Sequence, residues 1–125
     1  MSVRSEKRRA YDQSWDTWDA ETLVSTLADG FVFDDPAMPG PIKKADMAAY
    51  MASWRDRVGL LGGTGEIECS DCVEVEQDGA VVSWNWWSFV GTKYEGSAVT
   101  RTTDDGVQYE RITYYPNTPD FSDVS

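Results

Sequence analysis

Residues 31–54 read FVFDDPAMPGPIKKADMAAYMASW, and the hydrophobic period changes inside this stretch. Residues 31–35 are an apolar run with strand character. Alternation sends Phe31, Phe33 and Asp35 to one face, and Val32 and Asp34 to the other. Pro36, Pro39 and Pro41 then fix three φ angles and remove three donors, so PAMPGP is a rigid loop. From Lys43 the period becomes helical. Met47, Tyr50, Met51, Trp54 and Val58 recur at i, i+3, i+4, i+7 and i+11, one apolar stripe that predicts a helix over 43–58.

Upstream, residues 5 to about 28 have helical spacing through Ala10, Tyr11, Trp15, Trp18, Leu23 and Leu27. The step of five between Trp18 and Leu23 breaks the stripe at Asp19-Ala20. Two short helices are expected, with Asp19 starting the second. Downstream of the glycine-rich LLGGTG (60–65) the period falls to two. Strands are expected at about 65–76, 80–91, 94–103 and 107–115. Turns at Gln77-Asp78-Gly79, Gly91-Thr92-Lys93 and Asp104-Asp105-Gly106 join them as successive hairpins. Helices, one strand, a helix and then an antiparallel meander make an α+β domain, with helices packed on one face of a curved sheet. One domain over 1–125 is expected, with 1–5 and 117–125 as loose tails.

The chain has 125 residues, 41% of them apolar, enough for one core. Its formal charge of -11 opposes phosphate backbones and anionic lipid, so neither nucleic acid nor membrane is an expected partner. No apolar run is long enough for a membrane span, and MSVRSEKRRAYDQSW lacks the apolar stretch of a secretory signal. A cytoplasmic location is expected. There is no histidine, which removes Ser–His and Cys–His nucleophiles and the usual metal triads. Cys69 and Cys72 form a C-x-x-C pair without further ligands. On a regular strand, residues three apart face opposite ways, so two packing cysteines are expected and no metal.

Proton transfer is left to carboxylate, Tyr, Lys and Cys. Asp35 shares a face with two phenylalanines. At the rim of an apolar core a carboxyl loses hydration and becomes a better base near neutral pH. Asp34 is expected in solvent or capping a turn. The plainer alternative is that both aspartates mark the turn before Pro36.

The segment WDAETLVSTLADGFVFDDPAMPGPIKKADMAAYMASW (18–54) resembles the SnoaL-like and ketosteroid-isomerase-like proteins of the nuclear transport factor 2-like, cystatin-like superfamily. GVQYERITYY (106–115) resembles that family's final strand. The resemblance implies a cone-shaped, curved, mixed or antiparallel sheet with about three helices on its concave side and a pocket inside. It also implies a base at Asp35, immediately before the proline, and an oxyanion-binding tyrosine at Tyr11, twenty-four residues earlier. Tyr11 also fits a core stripe with Trp15 and Trp18. Departures are visible. SAVTRTT (97–103) carries no acid where the isomerases place a second, protonated one. The histidine-dependent dehydratase and cyclase sites have no counterpart. The epoxide-hydrolase R-x-D spacing fails at Arg101.

VVSWNWWSF (81–89) is apolar on both faces. One face is expected to line the cone and the other to meet a second copy in a homodimer. Trp15, Phe33, Trp54, Asn85, Trp87 and Arg101 are candidate substrate-binding residues. Arg101 also fits an ion pair on the outer face. The expected function is a small acid/base enzyme of isomerase, lyase or cyclase type, using no cofactor and no metal. Its expected substrate is a hydrophobic carbonyl compound such as a steroid, polyketide or terpenoid. The alternative is a non-catalytic dimeric module that binds a small apolar ligand.

Overall fold

The structure is a computed structural model that describes residues 2–60, 62–115, 118 and 119. Helix α1 (Val3–Thr17) starts where the Ser2 hydroxyl accepts the Ser5 N–H, and stops at Trp18, whose φ of 56° turns the chain left-handed. The Trp18 indole N–H donates to the Gly65 carbonyl at 2.8 Å, tying the helix end to the 60–65 loop. Asp19 caps α2 (Ala20–Ser25) by accepting the Thr22 N–H at 3.1 Å, at the break that the five-residue step predicts. Residues 3–5, expected in a loose tail, are helical. Arg4 pairs with Glu76 at 2.7 Å and Asp104 at 2.9 Å. The tail expected over 117–125 falls mostly on residues 116, 117 and 120–125, outside the described residues.

Strand β1 (Leu27–Asp34) begins four residues earlier than expected, inside the helical spacing that runs to about 28. The reason is tertiary. Leu27 pairs with Val107, and the Val107 N–H donates to the Thr26 carbonyl at 2.9 Å, which overrides a weak local helix preference. A two-residue strand, β2 (Ile42–Lys43), follows the proline loop, and a 3₁₀ turn at Lys44–Asp46 leads into α3 (Met47–Leu60). The predicted stripe of α3 is buried throughout. Then come β3 (Ile67–Gln77), β4 (Ala80–Phe89), β5 (Glu95–Thr103) and β6 (Gly106–Tyr114). Asp78 and Gly79, both at positive φ, make the tight turn between β3 and β4.

The six strands form one open mixed sheet in the order β2-β1-β6-β5-β4-β3. Only β1 and β6 pair in parallel. Gly106 makes this junction possible. A Cβ there would lie 2.6 Å from the Thr26 carbonyl oxygen, and its φ is 127°. The inner face carries Phe31 and Phe33, Trp87 and Phe89, Ala98 and Ile112, all buried beneath the helices. The outer face carries Val82, Trp84, Trp86, Val99, Arg101, Tyr109 and Arg111. Among the described residues no helix is long and apolar enough to cross a membrane.

A β-bulge corrects the expected geometry of the cysteine pair. Ser70 pairs with Trp86 and Val73 with Trp84, so Asp71 and Cys72 together face Asn85. Asp71 takes φ of 53° to allow it. The extra residue shifts the alternation, so Cys69 and Cys72 no longer stand in opposite phase. Both remain free thiols, and the described residues contain no cluster of three metal-ligating side chains.

Candidate functional site

A cavity opens between the helices and the inner face of the sheet. It has a volume of about 80 Å³ and opens to solvent. Trp15, Asp12 and Asp16 come from α1, Phe33 from β1, and Tyr50 and Trp54 from α3. Ile67 and Cys69 of β3, Asn85, Trp87 and Phe89 of β4, Ala98 of β5, and Glu110 and Ile112 of β6 complete the wall. The odd-numbered face of β4 therefore lines the cavity. Five candidate residues, Trp15, Phe33, Trp54, Asn85 and Trp87, meet there. Arg101 does not. It pairs across to Val82 and Tyr109 on the outer face, because alternation along β5 buries Ala98, Thr100 and Thr102 instead. Its candidacy as a substrate-binding residue is corrected on that ground.

Asp35 directly follows β1, is 5% exposed, and does not line the cavity. Three donors surround it. The Tyr50 hydroxyl lies at 2.6 Å, the Tyr114 hydroxyl at 2.8 Å and the Ala37 N–H at 2.9 Å. Burial, and then the Asp35 charge, hold both tyrosine hydroxyls well above their ordinary pKa, so they remain donors. The arrangement joins β1, α3, β6 and the proline loop through one carboxylate.

Tyr11 is fully buried, and its hydroxyl donates to the Glu110 carboxyl in a short hydrogen bond. Burial raises the Tyr11 pKa well above its usual range, with Glu110 adding to it. Glu110 is half-buried and lines the cavity. Desolvation raises its pKa to about 8, the Asp12 charge adds to the effect, and the hydrogen bond from Tyr11 opposes it. Asp12 stands at the mouth, where Arg8 pairs with it at 2.5 Å and with Glu74 at 3.0 Å. Desolvation still raises Asp12 to about 6. Cys69 is pushed up to about 11 by the same cause, so its thiol stays protonated at neutral pH. Sequence reading missed Glu110, Asp12 and Asp16. Glu110 shares the period-two face of Ile112 and Tyr114, but residues 107–114 mix apolar and polar types on both faces, so alternation alone does not choose between them.

No protein-family model matches the chain, and no curated protein is significantly similar to it in sequence. Solved structures are similar in shape. A Kribbella flavida protein classed provisionally as a ketosteroid isomerase superposes with a TM-score of 0.62 at 12% identity, over 98% of this chain and 87% of its own. A provisional SnoaL-like polyketide cyclase from Shewanella denitrificans gives 0.64 at 12% identity, over 94% of both chains. A nuclear transport factor 2-like protein from Anabaena variabilis gives 0.62 at 15% identity, over 94% and 90%. An open six-stranded sheet under three helices, matched over nearly the whole chain by such proteins, is the nuclear transport factor 2-like α+β cone, and this chain adopts that fold.

Proposed function

We propose that the protein is a small, cofactor-free acid/base enzyme of isomerase, lyase or cyclase type, acting on an apolar carbonyl compound with Glu110 as its proton carrier. One observation supports this above the others: a carboxyl group set in an aromatic cavity wall and oriented by the buried Tyr11 hydroxyl. The role of base, which the resemblance assigns to Asp35, passes in this reading to Glu110. Asp35 already accepts three hydrogen bonds and acts as an anchor. The ionised Glu110 takes a proton from the carbon next to the substrate carbonyl. The Asn85 amide, also in the wall, donates to the enolate oxygen. Protonated Glu110 then returns the proton to another carbon or to a leaving group. Tyr11 holds the carboxyl in place throughout. The cavity receives the reacting ring, and the rest of a larger substrate extends through its opening to solvent. Fold neighbours classed provisionally as an isomerase and a cyclase support this class of reaction.

The test is hydrogen–deuterium exchange next to the carbonyl of a ketone panel in deuterated buffer, followed by NMR. The native protein should speed exchange, with a rate that climbs as pH rises through about 8. A positioned base contributes roughly 100- to 10,000-fold, so Glu110→Gln should lose at least about 100-fold. Undiminished exchange in that variant would reject the role.

We also propose a homodimer through the outer face of the sheet. Trp84 packs at a tilt against Trp86, and Trp86 against Tyr115, on a face that also exposes Val73, Val75 and Val82. The free edge, β3, instead carries Glu68, Asp71, Glu74 and Glu76, whose repulsion opposes edge-to-edge pairing. A two-fold pairing of the apolar faces satisfies both facts. Light scattering at micromolar concentration should give twice the chain mass. Trp84→Glu should halve it, and a monomeric native protein would contradict the dimer.

A further inference from the structure

We propose that the cavity selects a ligand carrying a protonated amine or quaternary ammonium group on a small apolar body. This rests on the reading of the cavity as a small-molecule site with Glu110 in its wall, and it adds the charge of the molecule. Two independent features of the wall agree. The first is aromatic. The rings of Trp15, Tyr50 and Trp87 line the space, with Trp15 and Tyr50 at 6.2 Å in an edge-on pair, and Trp54 lines it with the Arg57 guanidinium 5.1 Å from its ring centroid. Such boxes attract cations through the ring quadrupole. The second is ionic. Asp12, Asp16 and Glu110 line the cavity, and among the described residues no lysine or arginine does. Two cations touch lining residues from outside the wall: Arg8 is divided between Asp12 and Glu74, and the Arg57 guanidinium lies over the Trp54 ring. A carboxylate or phosphate ligand would enter against that field and find only neutral donors, the Asn85 amide and the buried Trp87 indole N–H, whereas an ammonium gains both terms.

Glu110 makes the preference depend on pH. The groups that interact with it are Tyr11 and Asp12 from α1 and Cys69 from β3, and Asp16 from α1 and Tyr50 from α3 line the same cavity. None is basic. In the empty site Glu110 therefore keeps its proton to about pH 8. An arriving cation favours the ionised form, so binding expels that proton, and affinity for the cation rises with pH up to about 8.

Three probes of matched size decide the matter: benzyltrimethylammonium, benzyl alcohol and benzoate, titrated by calorimetry into the full chain. The expected order is ammonium, then alcohol, then benzoate, with the ammonium at least about tenfold tighter than the alcohol. Repeating the titration near pH 7 in two buffers of different ionisation enthalpy should reveal proton release with the ammonium alone. Glu110→Gln should weaken ammonium binding about tenfold near pH 9 and abolish the proton release, while leaving benzyl alcohol within about twofold. Asp16→Asn, on a different element, should also weaken only the ammonium. Benzoate binding as tightly as the ammonium, an ammonium preference unchanged in both variants, or no ammonium binding up to its solubility would each overturn the proposal. The acid/base reading fails separately. If Glu110-dependent exchange of neutral ketones persists without charge preference, only this inference falls. If the preference holds and exchange is absent, the enzyme reading falls instead.

Discussion

Glu110→Gln perturbs one group, and its effect on stability can be worked from the structure. The carboxyl is half-buried in an aromatic wall, and its pKa moves from the ordinary 4.5 to about 8. Between those values the folded chain holds a proton that the unfolded chain releases. The stabilising contribution is therefore complete below about pH 4.5 and is lost as pH rises through about 8. The interval is about 3.5 pH units, and each is worth about 1.4 kcal/mol, so the ceiling is about 5 kcal/mol. Local relaxation and water entry reduce this, and a loss of about 3–5 kcal/mol is expected. That is a large share of the roughly 5–15 kcal/mol that holds a domain of this size together. Glutamine keeps the shape and still accepts the Tyr11 hydrogen bond, but it never ionises. Urea unfolding followed by tryptophan fluorescence at about pH 5, 7 and 9 measures the difference between native and variant. The curves should nearly coincide at pH 5 and separate progressively, with the variant the more stable at pH 9. Parallel stability profiles would show that Glu110 titrates normally, and the reasoning about its desolvation would be refuted.

Three further outcomes follow from the same contacts. Asp35→Asn presents an amide N–H₂ where the anchor needs only acceptors, so urea unfolding should show a loss of about 2–4 kcal/mol; unchanged stability would contradict the anchor. Tyr11→Phe removes the hydrogen bond that lowers the Glu110 pKa, so the midpoint of the exchange profile should move to higher pH, and a midpoint moving lower would contradict it. Gly106→Ala places a methyl 2.6 Å from the Thr26 carbonyl at a φ of 127°, and thermal unfolding should show a loss of more than about 2 kcal/mol.

The fold was legible wherever a period was long enough to be measured. The α3 stripe, the Asp19 break and the Asp78-Gly79 turn all follow from spacing and from residues with one conformational preference. Misreadings fall where distant segments decide. Leu27 joins a strand because Val107 is there to pair with it, and Ile42 pairs with Phe33 across a proline loop. The site was legible by type more than by position. Trp15, Trp54 and Trp87, candidates by residue type, line the cavity. The burial of Asp35 followed from alternation, but its donors Tyr50 and Tyr114 come from elements 15 and 79 residues away. Glu110 was hidden because its environment comes from α1, β3 and β4, and no local pattern distinguishes a desolvated glutamate from a solvated one on a mixed strand. Arg101 was misplaced for the converse reason, a polar residue on a strand whose outward phase only the register reveals.

The most direct test is an NMR titration of the Glu110 side-chain carboxyl carbon in isotopically labelled protein, assigned by its absence in Glu110→Gln. A midpoint near 8 is expected. A midpoint near the ordinary 4.5 would mean a solvated carboxylate at the cavity wall, and both the proton carrier and the pH-dependent cation site would lose their basis.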